Sequence, residues 1–193
     1  MSALIRSFLR RRLAPVIALL LPAVAAPCLA ADAAVAPPAA TERSSPSVHG
    51  DAIAGNWLVH SQDAIIHIEA APGTSPVRYV GRIAWLQDGY FTAADGPALD
   101  GKPLTDIHNS ESDKRTRPLL GLTLLWDLSF NGREWTGGRV YNSDNGHSYD
   151  CTVHLVDADH LRLHGYLGMP LLGGSTIWTR VTTVPPMAPA PGK

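Results

Sequence analysis

The sequence predicts an all-β domain of eight mostly antiparallel strands rolled into an up-and-down barrel, with one long polar loop inserted between two of them. Three observations predict it. Short runs rich in Val, Ile, Leu, Thr, Tyr and Trp recur between glycines, which is the composition of strands. Several runs alternate by side-chain type: Tyr149, Cys151, Val153 and Leu155 share one face while Ser148, Asp150, Thr152 and His154 share the other. Turn residues separate the runs, as in Ser143-Asp144-Asn145-Gly146, whose Asn-Gly pair tolerates the positive φ of a tight reversal. A two-sheet sandwich is the structural rival. Closure into a barrel hides every strand edge and suits a chain of successive hairpins, so the barrel is the expected architecture.

Taken from the start, the chain opens on a segment outside the fold. Arg6, Arg10, Arg11 and Arg12 make a basic head, Val16 to Ala26 an apolar stretch broken at Pro22, and small residues lead to a cleavage point near Ala30. That order is a secretory signal peptide, expected at 1–30, and it places the mature chain in the periplasm or outside the cell. The apolar stretch is too short and too broken to span a bilayer, which takes ~20 residues, so no transmembrane anchor is expected. Cys28 follows Pro27, where a lipid-attachment signal needs a small residue, and is read as part of the discarded peptide. Residues 31–52 form an Ala/Pro-rich leader and 183–193 a Pro-rich tail, both expected to be disordered for want of apolar surface to bury. The folded unit is expected at 53–182.

Within it the strands are expected at Gly55–His60, Ala64–Ala70, Val77–Leu86, Leu119–Leu128, Glu134–Tyr141, Ser148–Val156, Leu161–Leu167 and Thr176–Val181. Asp157-Ala158-Asp159 turns one pair. Leu120, Leu122, Leu124, Trp126 and Leu128 alternate onto one face.

Charge and cysteine content exclude several functions. Taking the four leader arginines from 16 basic residues leaves twelve against 17 acidic ones, a formal charge of −5 for the mature chain. Nucleic-acid binding demands clustered Lys and Arg, which are absent. The mature chain keeps a single cysteine, Cys151, on an apolar alternating face, so its core and not a disulfide must hold it together. Eight histidines are scattered without the three or four converging donors of a zinc site; His154, His164 and Asp150 share a face but form no such set. There is no Gly-x-Ser-x-Gly, no legible triad and no phosphate-binding glycine pattern, so no catalytic residue, metal or cofactor is expected.

An ordered set of short motifs carries a resemblance. Gly55-Asn56-Trp57 opens the domain; Asp106, Asn109 and Arg115-Thr116-Arg117-Pro118 with Gly121 follow. Then come Gly138-Arg139-Val140-Tyr141 before Asp144, Gly146 and Tyr149, and finally Leu161, Gly165-Tyr166, Gly168 and Trp178-Thr179-Arg180. This set resembles the bacterial domain of unknown function 2147. The resemblance implies an exported, lipocalin-like (calycin-type) barrel and assigns no activity. The Gly-x-Trp start and late Arg180 are similar to the lipocalin closure, which implies that Gly55, Trp57 and Arg180 hold the closed end, with the guanidinium on the indole. Val140-Tyr141-Asn142-Ser143 departs from the aliphatic-Tyr-Asp-Pro turn usual in the family.

The stretch Gln87–Pro118 is far longer than an ordinary hairpin loop of ~2–5 residues, and such loops are commonly functional. Two readings stand. In one it is a lid over the barrel mouth, with Arg115 or Arg117 gripping an anionic head group and Asp106 and Asn109 orienting it. In the other it is an internal brace, with Asp106 paired to Arg117 and Asn109 capping a turn. Trp85 and Trp126 could line a cavity, for which Gly81, Gly121 and Gly165 leave room. The functional expectation is a binding protein of the cell envelope that takes a small apolar or amphipathic ligand into the barrel. The alternatives are an envelope enzyme using Asp106 with Arg115 or Arg117, and a structural or interaction module.

Overall fold

The computed structural model describes residues 49–190; the expected signal peptide (1–30), the expected leader up to residue 48, and residues 191–193 lie outside them. Eight strands follow in order: β1 (Gly55–Leu58), β2 (Ala64–Ala70), β3 (Tyr79–Leu86), β4 (Thr123–Phe130), β5 (Trp135–Asn142), β6 (His147–Leu155), β7 (His160–Tyr166) and β8 (Gly173–Val181). Each pairs antiparallel with the next, and β8 returns to β1 through Asn56↔Val181, Trp57↔Arg180 and Leu58↔Thr179. The ring is therefore closed, and the sandwich alternative falls with it.

Two faces differ from the expected alternation, and bulges are the reason. On β3 one extra residue separates Trp85, opposite Ile65, from Ile83, opposite Ile66. Ile83 and Leu86 consequently face the core while Trp85 turns outward, where its indole N–H donates to the Pro186 carbonyl at 3.3 Å. On β4 the register against β3 slips twice, and Asp127 adopts a φ of 61°. Leu124, Leu125 and Leu128 are buried, Trp126 is only half-buried, and Leu120 lies exposed before the strand begins.

Residues outside 53–182 touch the barrel at both ends. A short 3-10 turn, Gly50–Ile53, plugs the end of the barrel from which β1 departs. Three side chains reach it: Trp57 Nε1–H donates to the Ile53 carbonyl (2.8 Å), Trp135 Nε1–H to Gly50 (3.0 Å), and the Tyr79 hydroxyl to Asp51 Oδ1 (2.8 Å). At the other terminus the Leu86 N–H meets the Met187 sulfur at 3.4 Å. Composition undervalues these segments because one apolar anchor in each, Ile53 and Met187, supplies the burial that the surrounding Ala and Pro do not.

Arg180 completes the closed end. Its guanidinium carbon lies 4.1 Å from the Trp57 ring centroid, and Nε, Nη1 and Nη2 donate to the carbonyls of Ala158, Ala54 and Ala52 at 2.8, 2.8 and 2.7 Å. Gly55, beside Trp57, has φ 122°, and a Cβ there would stand 3.0 Å from Arg180 Nη1. One cation thus ties the 3-10 turn, the β6–β7 turn and both closing strands. Arg180→Met should lower stability by about 2–4 kcal/mol, from three charge-assisted bonds and a cation–π contact that water only partly replaces. A urea denaturation midpoint unchanged from wild type would contradict that role.

Candidate functional site

The barrel is filled unevenly. Towards the closed end, Ile53, Trp57, Ile68, Leu125, Leu128, Trp135, Val153 and Leu161 occupy the interior, and all are buried. A Cβ at Gly138 would collide with the Leu128 side chain, so this glycine makes room for a leucine and not for a ligand. Gly81 likewise faces Leu125 and Ile66 at 3.0 and 3.1 Å. Towards the other end the inward positions are small: Ala64, Gly165, Gly174 and Thr176. A cavity of about 180 Å³ remains there, floored by Ile66, Ile83, Leu124, Val140 and Trp178.

Its rim comes from three connections. The β1–β2 turn contributes Val59, His60 and Ser61; the β5–β6 hairpin Ser143 and Asn145; the β7–β8 connection Leu167 and Leu172. Tyr149 and Tyr166 add hydroxyl-bearing rings, and Asn145 Nδ2 donates to the Tyr149 hydroxyl at 2.9 Å. Among the described residues no Asp, Glu, Lys or Arg lines the cavity; its one ionisable ring besides the tyrosines is His60. Two carboxyl groups lie on the rim's own turns, Asp63 and Asp144; Asp63 accepts from Ser61 Oγ at 2.5 Å, and burial raises its pKa above the ordinary carboxylate value.

The residues expected to bind a ligand lie elsewhere. Asp106 is fully buried, and every contact it makes is internal. Its Oδ1 accepts from the Tyr141 hydroxyl (2.7 Å); its Oδ2 accepts from Asn109 Nδ2 (2.8 Å) and from Arg117 Nε and Nη2 (2.9 and 2.8 Å). Asn109 Nδ2 also donates to the Tyr141 oxygen, and its Oδ1 caps the turn by accepting the Glu111 N–H. Arg115 Nε is taken by the Asn109 carbonyl at 2.7 Å. The insertion is therefore a brace. Among the described residues, none between 87 and 122 lines the cavity, so the insertion contributes no lid to this mouth; Arg117 is turned onto Asp106, and Arg115 is exposed away from the cavity. An enzyme built on Asp106 with Arg115 or Arg117 would need that carboxylate open to a substrate, whereas it is fully buried and paired with Tyr141, Asn109 and Arg117. Trp85 and Trp126 are also absent from the lining, for the bulge reasons given above. Gly121 sits exposed in the loop with φ 81°, and of the three glycines expected to leave room, Gly165 is the one that does.

Two details connect brace and cavity. Tyr141 belongs to the cavity wall, while its ring stands under the Arg117 guanidinium (5.4 Å from Cζ to the ring centroid) and its hydroxyl donates to Asp106. Gly146, with φ 72°, allows His108 to lie on the β5–β6 hairpin; a Cβ there would clash with the His108 carbonyl and stand 3.3 Å from Asn109 Cα.

Residues 55–180 match the family described as "Uncharacterized protein conserved in bacteria (DUF2147)". The chain belongs to this family. Among solved structures, this DUF2147 barrel is similar to protein HP1028 from the human pathogen Helicobacter pylori, described as belonging to the lipocalin family. The two share 19% identity at a TM-score of 0.52, over 67% of this chain and 82% of that one. The likeness is one of fold: a closed eight-stranded lipocalin-like barrel. No curated protein matches. Among the described residues no three His, Cys, Asp or Glu side chains are placed to hold a metal ion, and no helix is long and apolar enough to cross a membrane.

Sequence reasoning missed Ala64, Tyr149, Thr176 and Trp178 as cavity residues. The available signal was a run of small residues, Gly165, Gly173 and Gly174, on neighbouring strands at one barrel end.

The brace predicts an alkaline limit. Burial, reinforced by the hydrogen bond and charge of Asp106, pushes the Tyr141 hydroxyl up to about 12, and burial with Asp51 does the same to Tyr79. The unfolded chain loses these protons near the ordinary tyrosine value, ~10, before the folded one does. Stability should therefore hold below about pH 10 and fall as pH rises towards 12, with Tyr141→Phe showing a shallower fall in denaturation midpoint. Burial also pushes the Cys151 thiol up to about 12, so iodoacetamide should leave it unmodified until the protein unfolds.

Proposed function

We propose that this DUF2147 barrel is an exported carrier, working in the periplasm or outside the cell, that holds a small, uncharged, partly apolar molecule in the cavity at its open end. The observation that carries the reading is the cavity itself: about 180 Å³ of space with an apolar floor and a rim of hydroxyl, amide and imidazole groups, with no Asp, Glu, Lys or Arg among the described residues of its wall. Empty apolar cavities of ~150 Å³ accept a benzene-sized guest, so a single ring or a short alkyl chain matches this volume. The polar end of such a guest would rest among Ser61, Asn142, Ser143 and Asn145. The lipocalin-like fold supports the reading, since small barrels that are not filled by their own side chains hold one small ligand. Export is supported by the basic, apolar and small-residue order of the first thirty residues.

The test is titration with 1-octanol and with octanoate, followed by tryptophan fluorescence, since Trp178 forms part of the floor. Octanol should bind about tenfold or more tightly than octanoate at pH 8, whose carboxylate would lose hydration and meet neither Lys nor Arg in the wall. Thr176→Phe should fill the space and abolish octanol binding, at a stability change of no more than about 2 kcal/mol. Equal affinity for both ligands, or undiminished binding by the filled variant, would remove the cavity as the site.

A further inference from the structure

We infer that the β7–β8 connection is a lipid-contacting tip, which dips into the acyl region of a membrane whose head groups are uncharged or zwitterionic and turns the cavity mouth towards it. The inference rests on the carrier reading and names the source of its ligand. Residues 167–172 read Leu-Gly-Met-Pro-Leu-Leu, and their large side chains stand in solvent: Leu167 63% exposed, Met169 63%, Leu171 93% and Leu172 65%. Four large apolar groups within six positions form a cluster, whereas the remaining exposed ones (Val77, Ile107, Leu120, Val156, Val184) come singly from separate segments.

Three features say what covers this tip. It is free of charge, since no Asp, Glu, Lys or Arg occurs from Gly165 to Thr179, so neither an acidic protein nor an anionic membrane surface is its electrostatic match. It projects, with Leu171 almost wholly exposed, and a single projecting loop suits insertion between lipids better than a broad dimer face. Its apolar surface is continuous with the interior, because Leu167 and Leu172 belong both to the tip and to the cavity wall. The cavity rim carries Tyr149, Tyr166, His60, Ser61 and Asn145, and the two tyrosines are the amphipathic rings that favour the head-group level. The tip keeps its form by its own bonds: Met169 N–H to Leu167 O (2.8 Å), Leu172 N–H to Met169 O (3.0 Å), and His164 Nε2 to the Pro170 carbonyl (2.7 Å). A preformed apolar finger then enters lipid without further ordering, and an apolar guest can pass from lipid to cavity without crossing water.

The barrel closes through its own strand pairs within residues 49–190, so the chain from residue 31 onward serves for the test. It should float with phosphatidylcholine vesicles, with little change on adding salt. The double variant Met169→Ser, Leu171→Asp should partition about tenfold or more weakly. Neither residue lines the cavity, so the variant's octanol affinity and thermal midpoint should match wild type. Absence of flotation, flotation confined to anionic vesicles and abolished by salt, or equal flotation of the variant would each overturn the inference. So would a concentration-dependent dimer that the variant abolishes while vesicles are ignored. Flotation of a wild-type protein that fails to bind octanol would leave the lipid contact standing and remove the cargo reading alone.

Discussion

The fold depends on how its shortest strand is held. β1 is four residues long and must pair with β2 on one side and β8 on the other. So few ladder bonds do not secure a strand that completes a ring, and the protein adds side-chain bonds where backbone bonds run short. Trp57 lies inside β1 under the Arg180 guanidinium, and that guanidinium is in turn held by three carbonyls from two loops. A cation among carbonyls and an indole face keeps its hydrogen bonds while shedding part of its water, a setting in which such contacts gain strength. The 3-10 turn beneath is held by the same residues, so plug and closure stand or fall together.

That arrangement leaves the opposite end free to be open. Bulky side chains, two tryptophans among them, fill the closed half, and small ones line the mouth. The insertion then does for the open half what Arg180 does for the closed one. Its buried carboxylate gathers Tyr141, Asn109 and Arg117 into one network, and Tyr141 is at once a strut of that network and a panel of the cavity wall. A buried carboxylate held by three side chains, with both oxygens engaged, specifies geometry more sharply than apolar packing would. The β5 side of the cavity wall is thereby tied to the insertion, while the β7–β8 tip is held by bonds within itself and to His164.

Much of this was legible in the residues. Alternation and glycine punctuation placed all eight strands, and the Gly-Asn-Trp start with the late Arg180 pointed to the closed end. The site was not legible in the same way, for a definite reason. Period-two reasoning assumes an unbroken pleat, and bulges at Ile65/Ile66 and twice on β4 shift side chains to the other face. Trp85 and Trp126 lie beyond those slips. The polar insertion is long and charged, yet Asp106 is spent on Arg117, Asn109 and Tyr141, and sequence spacing cannot show that this carboxylate is buried and paired. Cavities, conversely, are marked by what is missing, and Ala64, Gly174 and Thr176 carry no chemistry that singles them out.

The pairing of β1 with β8 also sets the order in which the molecule can form. Seven of the eight pairings join strands that are consecutive in the chain, and hairpin by hairpin they can assemble as each segment becomes available. The eighth joins Asn56 to Val181, and its loop-closure entropy falls due only after everything between them is in place. Until the final strand has arrived, the sheet keeps two unpaired edges and the indole of Trp57 has no cation above it. The last residues of the domain thereby act as the latch, and a chain still missing its C-terminal strand stays unlatched.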